Sequence, residues 1–210
     1  MLKTIKENTS SEIVEKKSKF IANLFYVQSQ EEAEEKIKEI RKKYHDARHN
    51  CYAYSIMTKE GIINKMSDDG EPSGTAGNPM LNIILKKELI NVLVIVTRYF
   101  GGILLGTGGL VRAYSDATLE AIEKAEFVIE QIGYELEIII NYQELEKIEY
   151  YCEKNKLSIV NIEYGEKIKC NIEVTKEEKD KIVELKEEGT LKIEDYKIIK
   201  EKNIRKNIEI

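Results

Sequence analysis

Two stretches of the chain concentrate groups able to do chemistry. The first runs Ser67-Asp68-Asp69-Gly70-Glu71-Pro72-Ser73-Gly74-Thr75-Ala76-Gly77-Asn78-Pro79. Asp68, Asp69 and Glu71 are carboxylates able to hold a cation or a basic partner, and Ser73 and Thr75 add hydroxyls. Gly70 and Gly74 expose backbone N–H groups in a loop whose shape Pro72 helps to preset. The plain alternative is an elaborate turn between a hairpin and a helix, although such a connection needs only about two to six residues. A calcium loop is not expected, because the alternating Asp-x-Asp-x-Asp-Gly spacing with a distal Glu is absent.

The second stretch is Arg98-Tyr99-Phe100-Gly101-Gly102-Ile103-Leu104-Leu105-Gly106-Thr107-Gly108-Gly109-Leu110-Val111-Arg112-Ala113-Tyr114. It leads from a strand-like run through a glycine-rich turn into a helix-like one. That order gathers free backbone N–H groups and the positive end of a helix at Gly101, Gly102, Gly106, Thr107, Gly108 and Gly109, a general recipe for holding an anion. Arg98 and Arg112, the only arginines between Arg48 and Arg205, would give such a site its charge from either side. Tyr99, Phe100 and Tyr114 would stack on a base or pack against a partner, or else belong to the core. No Gly-Lys-Ser/Thr follows, and the dinucleotide fingerprint is missing. The competing structural explanation is that the glycines let the helix pack closely on the sheet. His45 and His49 stand four apart, but the preceding helix is expected to end near Tyr44, so neither a metal site nor a catalytic base is expected.

The elements that must position these groups follow from hydrophobic period. Lys19 to Val27 alternates as a strand through Phe20, Ala22, Leu24 and Tyr26. Ser29 caps a helix carrying Ala33, Ile37, Ile40 and Tyr44 on one face. Cys51 to Met57 is a strand, and Gly61 to Met66 is a third strand or its hairpin return. A helix from Pro79 to Lys87 follows the first block, with proline in its first turn. Asn91 to Arg98 reads as a central strand buried on both faces, and a helix from Thr107 to Glu126 buries Leu110, Ala113, Ala117, Ala121 and Ala125. After Gly133 the texture changes to Lys, Glu and Ile with few turn formers, which places a domain boundary there, between residues 1–132 and 133–210. The second part reads as strand 134–140, helix 143–155, a hairpin of 157–163 with 168–174 about Gly165, a Thr175-capped helix to Glu188, and strand 191–199. The order βαββαβ is that of a ferredoxin-like domain, and the whole is expected to be α+β with two domains.

At 210 residues the chain can bury one or two modest cores. No apolar run approaches the roughly 20 residues that span a bilayer, and Lys3, Glu7 and Glu12 interrupt any signal peptide, so a cytoplasmic protein without a membrane partner is expected. Cys51, Cys152 and Cys170 form no CxxC pair and are expected as buried thiols in a reducing compartment. There are 18 basic against 19 acidic residues up to position 132, and 15 against 19 beyond it. Affinity for nucleic acid rests on neutralised phosphates, so any RNA contact must use a local patch rather than the whole surface.

The strings SDDGEPSGTAGNPM and VTRYFGGILLGTGGLVRAYSDA, with the flanking SEIVEKKSKFIA and HDARHNCYAY, resemble the signature of the IMPACT/YigZ family. The resemblance implies an N-terminal domain with the fold of ribosomal protein S5 domain 2, shared with elongation factor G domain IV and with small-molecule kinases. It also implies a C-terminal domain like elongation factor G domain V, in agreement with the βαββαβ order read above. Eukaryotic members restrain a translation-directed stress kinase through an extra N-terminal domain with no counterpart in this sequence, so that partner is not expected here. The expectation for function is therefore a translation-associated regulatory or binding protein, without a cofactor and not an enzyme, that touches RNA, the ribosome or a translation-related protein through the two glycine blocks. The alternative is a nucleotide- or phosphate-binding enzyme using the turn at 101–112, with a phosphate-bearing small molecule as partner.

Overall fold

The computed structural model of the protein describes residues 2–58 and 60–207. The elements are β1 (Leu2–Ile5), β2 (Thr9–Glu15), β3 (Ser18–Tyr26), α1 (Gln30–Lys43), β4 (His49–Thr58), β5 (Gly61–Ser67), α2 (Gly77–Lys86), β6 (Val92–Tyr99), α3 (Gly106–Glu123), β7 (Phe127–Ile140), α4 (Leu145–Lys154), β8 (Ser158–Tyr164), β9 (Ile168–Thr175), α5 (Lys176–Glu187) and β10 (Ile193–Asn207). Contacts divide these into two compact α+β units, one built on residues 2–129 and the other on 130–206.

The first unit is organised by β6, whose residues Val92 to Arg98 are all buried. Antiparallel pairing places it at the centre of the sheet order β2-β3-β6-β4-β5. Side chains alternate across the pleat. Val92, Val94 and Val96 therefore join Phe20, Ala22, Leu24, Leu110, Ala113, Tyr114, Ala117 and Ala121 in a core with α2 and α3. Leu93 and Ile95 point the other way, onto Ala33, Ile37 and Ile40 of α1. Small residues one turn apart let α3 lie close to the hairpin, where the Ser11 and Thr9 hydroxyls donate to the carbonyls of Ala117 (3.0 Å) and Ala121 (2.7 Å). Ser29 caps α1 by accepting from the Glu32 N–H, and β5 is the hairpin return of β4.

The β2–β3 hairpin departs from the expectation of a single opening strand. Its two-residue turn consists of Lys16 and Lys17, both left-handed (φ 45° and 66°), between the paired Glu15 and Ser18. Such turns are the province of Asn-Gly, and a left-handed residue with a side chain costs about 1–2 kcal/mol. Nothing in the composition of the turn announced it.

The second unit has the expected ferredoxin-like order, with β7 flanked by β10 and β9, and β8 outside β9. Leu136, Ile138, Ile140, Ile168, Cys170, Ile172 and Val174 pack against Ile148, Cys152 and Ile182 of the helices. Thr175 and Glu178 form a reciprocal capping box on α5. The opposite sheet face is ionic, with Glu137 paired to Lys197 (2.9 Å), Glu135 to Lys200 (3.2 Å) and Glu173 to Lys202. Carboxylates on the central strands make this face a poor seat for a polyanion. Two strands are longer than their alternation predicts. β7 begins at Phe127 rather than Tyr134, because Glu130 is turned inward and breaks the pattern, and β10 continues past Ile199 through a lysine-rich stretch to Asn207. Cys51, Cys152 and Cys170 are all buried and free. No helix among the described residues is long and apolar enough to cross a membrane.

Candidate functional site

The two glycine blocks meet at one buried ion pair. Arg98, at the end of β6, donates from Nη1 to Glu71 Oε1 at 2.7 Å, and both side chains are almost fully enclosed. Tyr114, on α3, donates its hydroxyl to the same oxygen at 2.9 Å. The ring of Phe20 meets that of Tyr114 edge-on at 5.2 Å, and the Arg98 guanidinium lies 5.5 Å from the Phe20 ring centre. Arg98 Nη2 reaches Ser18 Oγ at 3.4 Å, and the Gly101 N–H donates to that hydroxyl at 3.2 Å. Arg98 Nε has no hydrogen-bond acceptor among the described residues. An ion pair taken out of water with one donor unsatisfied contributes little to stability by itself; it fixes the two blocks in one arrangement.

The remaining carboxylates of the first block are also turned to structure. Asp68 Oδ1 accepts from the N–H groups of Ala76 (3.0 Å) and Gly77 (2.8 Å), and Oδ2 from Gly74 (2.8 Å), so Asp68 caps α2 from upstream. Asp69 accepts from the Asn50 N–H (2.7 Å) and from Arg41 (2.6 Å). The Thr75 hydroxyl donates to the Pro72 carbonyl (2.6 Å) and is buried. Asp68, Asp69 and Glu71, expected to be able to hold a cation or a basic partner, each have an internal partner here, and those of Asp69 and Glu71 include Arg41 and Arg98 of the same unit. Among the described residues no group of three or more His, Cys, Asp or Glu side chains is placed to hold a metal ion. Pro72 and Ser73 are the exposed crest of the block.

Burial pushes the Asp68 carboxyl up, but the N–H groups of Gly74, Gly77 and Ala76 together outweigh it, and its pKa lies below the ordinary aspartate value. A depressed folded-state pKa stabilises the fold above the unfolded value, and that contribution is lost as pH falls through the folded one. Asp68→Asn should therefore lower the melting temperature at neutral pH and flatten its decline on acidification below the usual aspartate range. Parallel melting-temperature curves for the two proteins across that range would contradict this.

Beside the ion pair, the Cys51 thiol donates to the Asp68 carbonyl at 2.9 Å, and its sulfur is 3.3 Å from Tyr114 Oη. Burial raises the pKa of both Cys51 and Tyr114, so both stay protonated, and Cys51 is no thiolate nucleophile. His49 Nδ1 lies 2.9 Å from the Asp69 carbonyl, which makes it a donor there, and Nε2 is 4.0 Å from Glu71. His49 belongs to β4, so the histidine pair is not helical.

The second block divides sharply into inner and outer residues. Arg98 and Tyr114 are inner: Arg98 spends its charge on Glu71 and does not flank an anion site as expected. Tyr99 is half-buried and donates to Asp46 at 2.7 Å, a bond that holds its pKa up to about 12. The outer residues are Phe100, Gly102, Ile103, Leu104, Gly106, Thr107, Gly108, Val111 and Arg112. Phe100 is 50% exposed, Ile103 42% and Leu104 82%, an apolar crest on a loop that the Gly101–Ser18 bond anchors. α3 begins without a side-chain cap and without an acidic residue in its first turn, so its N-terminal backbone donors and positive end stay available. Gly108 has open space around the position of a β-carbon and an ordinary helical φ, so nothing in the fold requires glycine there.

Sequence reasoning missed Ser18, which ties Arg98 to Gly101, and it assigned no role to Ile103 and Leu104. It also missed Lys16 and Lys17, whose turn backs directly onto Gly101. The string KKSKF carries no turn signature, since neither lysine is a residue that such turns favour.

The chain as a whole is similar to known proteins. Residues 16–122 match the family described as the Impact N-terminal domain, and residues 138–185 match a domain of unknown function, DUF1949. The chain is 39% identical over 175 residues to the IMPACT family member YvyE of Bacillus subtilis, covering 83% of this chain and 80% of that one. It is 35% identical over 150 residues to the IMPACT family member YigZ of Escherichia coli, covering 71% and 74%. A crystal structure of a hypothetical protein superposes with a TM-score of 0.63 at 27% identity, over 95% of this chain and 97% of the other.

Proposed function

The chain belongs to the IMPACT family, and from that premise we propose that it is a translation-associated regulatory protein that binds a ribosomal or ribosome-associated partner through the β6–α3 loop. The observation that carries this reading is the exposed crest of Phe100, Ile103 and Leu104 on an anchored loop. A connection with no other duty has no use for Leu104 at 82% exposure, and apolar side chains clustered in water mark contact sites. Rigid mounting favours the same view, since a binding loop held in one shape loses less entropy when its partner arrives. Gly108, which the fold does not need, leaves room for close approach at the first turn of α3. Support for the translational setting comes from the family and from its likeness to ribosomal protein S5 domain 2 and elongation factor G.

The alternative, a phosphate-binding enzyme at the same turn, retains the free start of α3 but loses Arg98 to Glu71. Arg112 remains exposed on the helix as its one arginine. Sedimentation through a sucrose cushion separates the readings. The protein should pellet with ribosomes from its own cells at low salt and be released in graded fashion as salt rises, since part of the contact is ionic. A protein that stays wholly in the supernatant at low salt contradicts the proposal.

A further inference from the structure

We infer that the Lys16–Lys17 turn and the Phe100–Leu104 loop form one docking surface for a protein segment in which carboxylates flank an aliphatic or aromatic anchor. The inference rests on the reading of the β6–α3 loop as a partner surface and adds the chemistry of the partner.

The two pieces are joined by their backbones. A β-carbon at Gly101 would overlap the carbonyl of Lys17 and crowd the amide of Ser18, so loop and hairpin turn are packed main chain to main chain. The backbone of the turn therefore lies against the base of the loop that carries the apolar crest. Lys16 and Lys17 are exposed, and neither makes an ion pair or side-chain hydrogen bond among the described residues. On the same hairpin Glu12 is paired to Lys19 at 2.8 Å, which leaves Glu15 set against two lysines. The tip of the hairpin is positive and unneutralised.

The backbone gives a second reason to assign these lysines a task. Both occupy left-handed conformations that Asn-Gly would adopt with less strain. Strain of this kind is retained where the residue serves something other than the fold. Two cations next to exposed aliphatic groups call for a ligand that is anionic and apolar at once. A nucleic acid meets only half of that demand: its bases can stack on Phe100, the one exposed aromatic ring of the crest, but Ile103 and Leu104 offer them no aromatic face. A protein segment with Asp or Glu around a Leu, Ile or Phe meets both halves, and its carboxylates would also suit the positive start of α3 next to Leu104.

The test uses the full chain, immobilised and challenged with a random displayed peptide library, followed by binding measurements on the selected peptides and on single-stranded polyuridylate. Selected peptides should be enriched in Asp and Glu around Leu, Ile or Phe. Their affinity should fall about tenfold or more in Lys16→Gln/Lys17→Gln and in Leu104→Ser. In Lys16→Asn/Lys17→Gly the same loss should accompany a higher melting temperature than wild type, an opposition that a merely structural turn would not produce. Selection without acidic enrichment overturns the inference, as does binding that the variants leave unchanged. Polyuridylate binding abolished by these variants, with no acidic peptide selected, also overturns it and assigns the surface to nucleic acid. Acidic peptides that bind a protein which never pellets with ribosomes would leave the docking surface standing and remove the translational reading. Pelleting that persists in the lysine variants, without peptide binding, would do the reverse.

Discussion

Glu71→Ala should destabilise the N-terminal unit by about 3–5 kcal/mol, the typical penalty for leaving one member of a buried ion pair charged and alone. Arg98 would keep its charge between the rings of Phe20 and Phe100, with Ser18 Oγ as its remaining hydrogen-bond partner among the described residues. Against a total folding free energy of about 5–15 kcal/mol, that loss is a large share. The double variant Glu71→Leu/Arg98→Met removes both charges and should recover most of the deficit, because the pair contributes arrangement more than stability. The chain has no tryptophan, so the melts are followed by circular dichroism. A cost below about 1 kcal/mol for Glu71→Ala, a value typical of exposed pairs, would mean that the two blocks are not joined through this node.

Gly101→Ala should cost about 3 kcal/mol, at the upper end of overpacking, because the added methyl meets main chain rather than a side chain able to swing away. The contrast is Gly108→Ala. With open space around it and a helical backbone, alanine there should stabilise the fold by about 0.5–1 kcal/mol. Two glycines seven residues apart thus carry opposite predictions: one is required where the loop crosses the hairpin turn, and the other is dispensable to folding. Equal destabilisation in the two variants would mean that both merely pack the helix on the sheet.

The elements around the site were largely legible. The run Val92–Val96 can only be a strand buried on both faces, and Ala113, Ala117 and Ala121 recur at a period that fits only a helix pressed against a sheet. The βαββαβ order of the second unit follows in the same way from clean alternation and from the Thr175 cap. Direction was the part that could not be read. Arg98 looks like a free cation in sequence, because its partner Glu71 lies in another block and no periodicity links them. Leu104, among glycines, carries no mark of its exposure, since hydrophobicity gives no sign of which way a loop residue faces. The β2–β3 turn was hidden for a chemical reason: Lys16 and Lys17 take a shape normally marked by Asn and Gly.

The central claim is that the loop anchored by Gly101 presents an apolar crest to a partner in the translation apparatus. Leu104→Asp tests it most directly, because the side chain is 82% exposed and its replacement leaves the ion pair and the hairpin contact intact. The account predicts a melting temperature equal to that of the wild type, with ribosome-pelleted protein at low salt reduced about tenfold. Wild-type pelleting by the folded Leu104→Asp protein would contradict it.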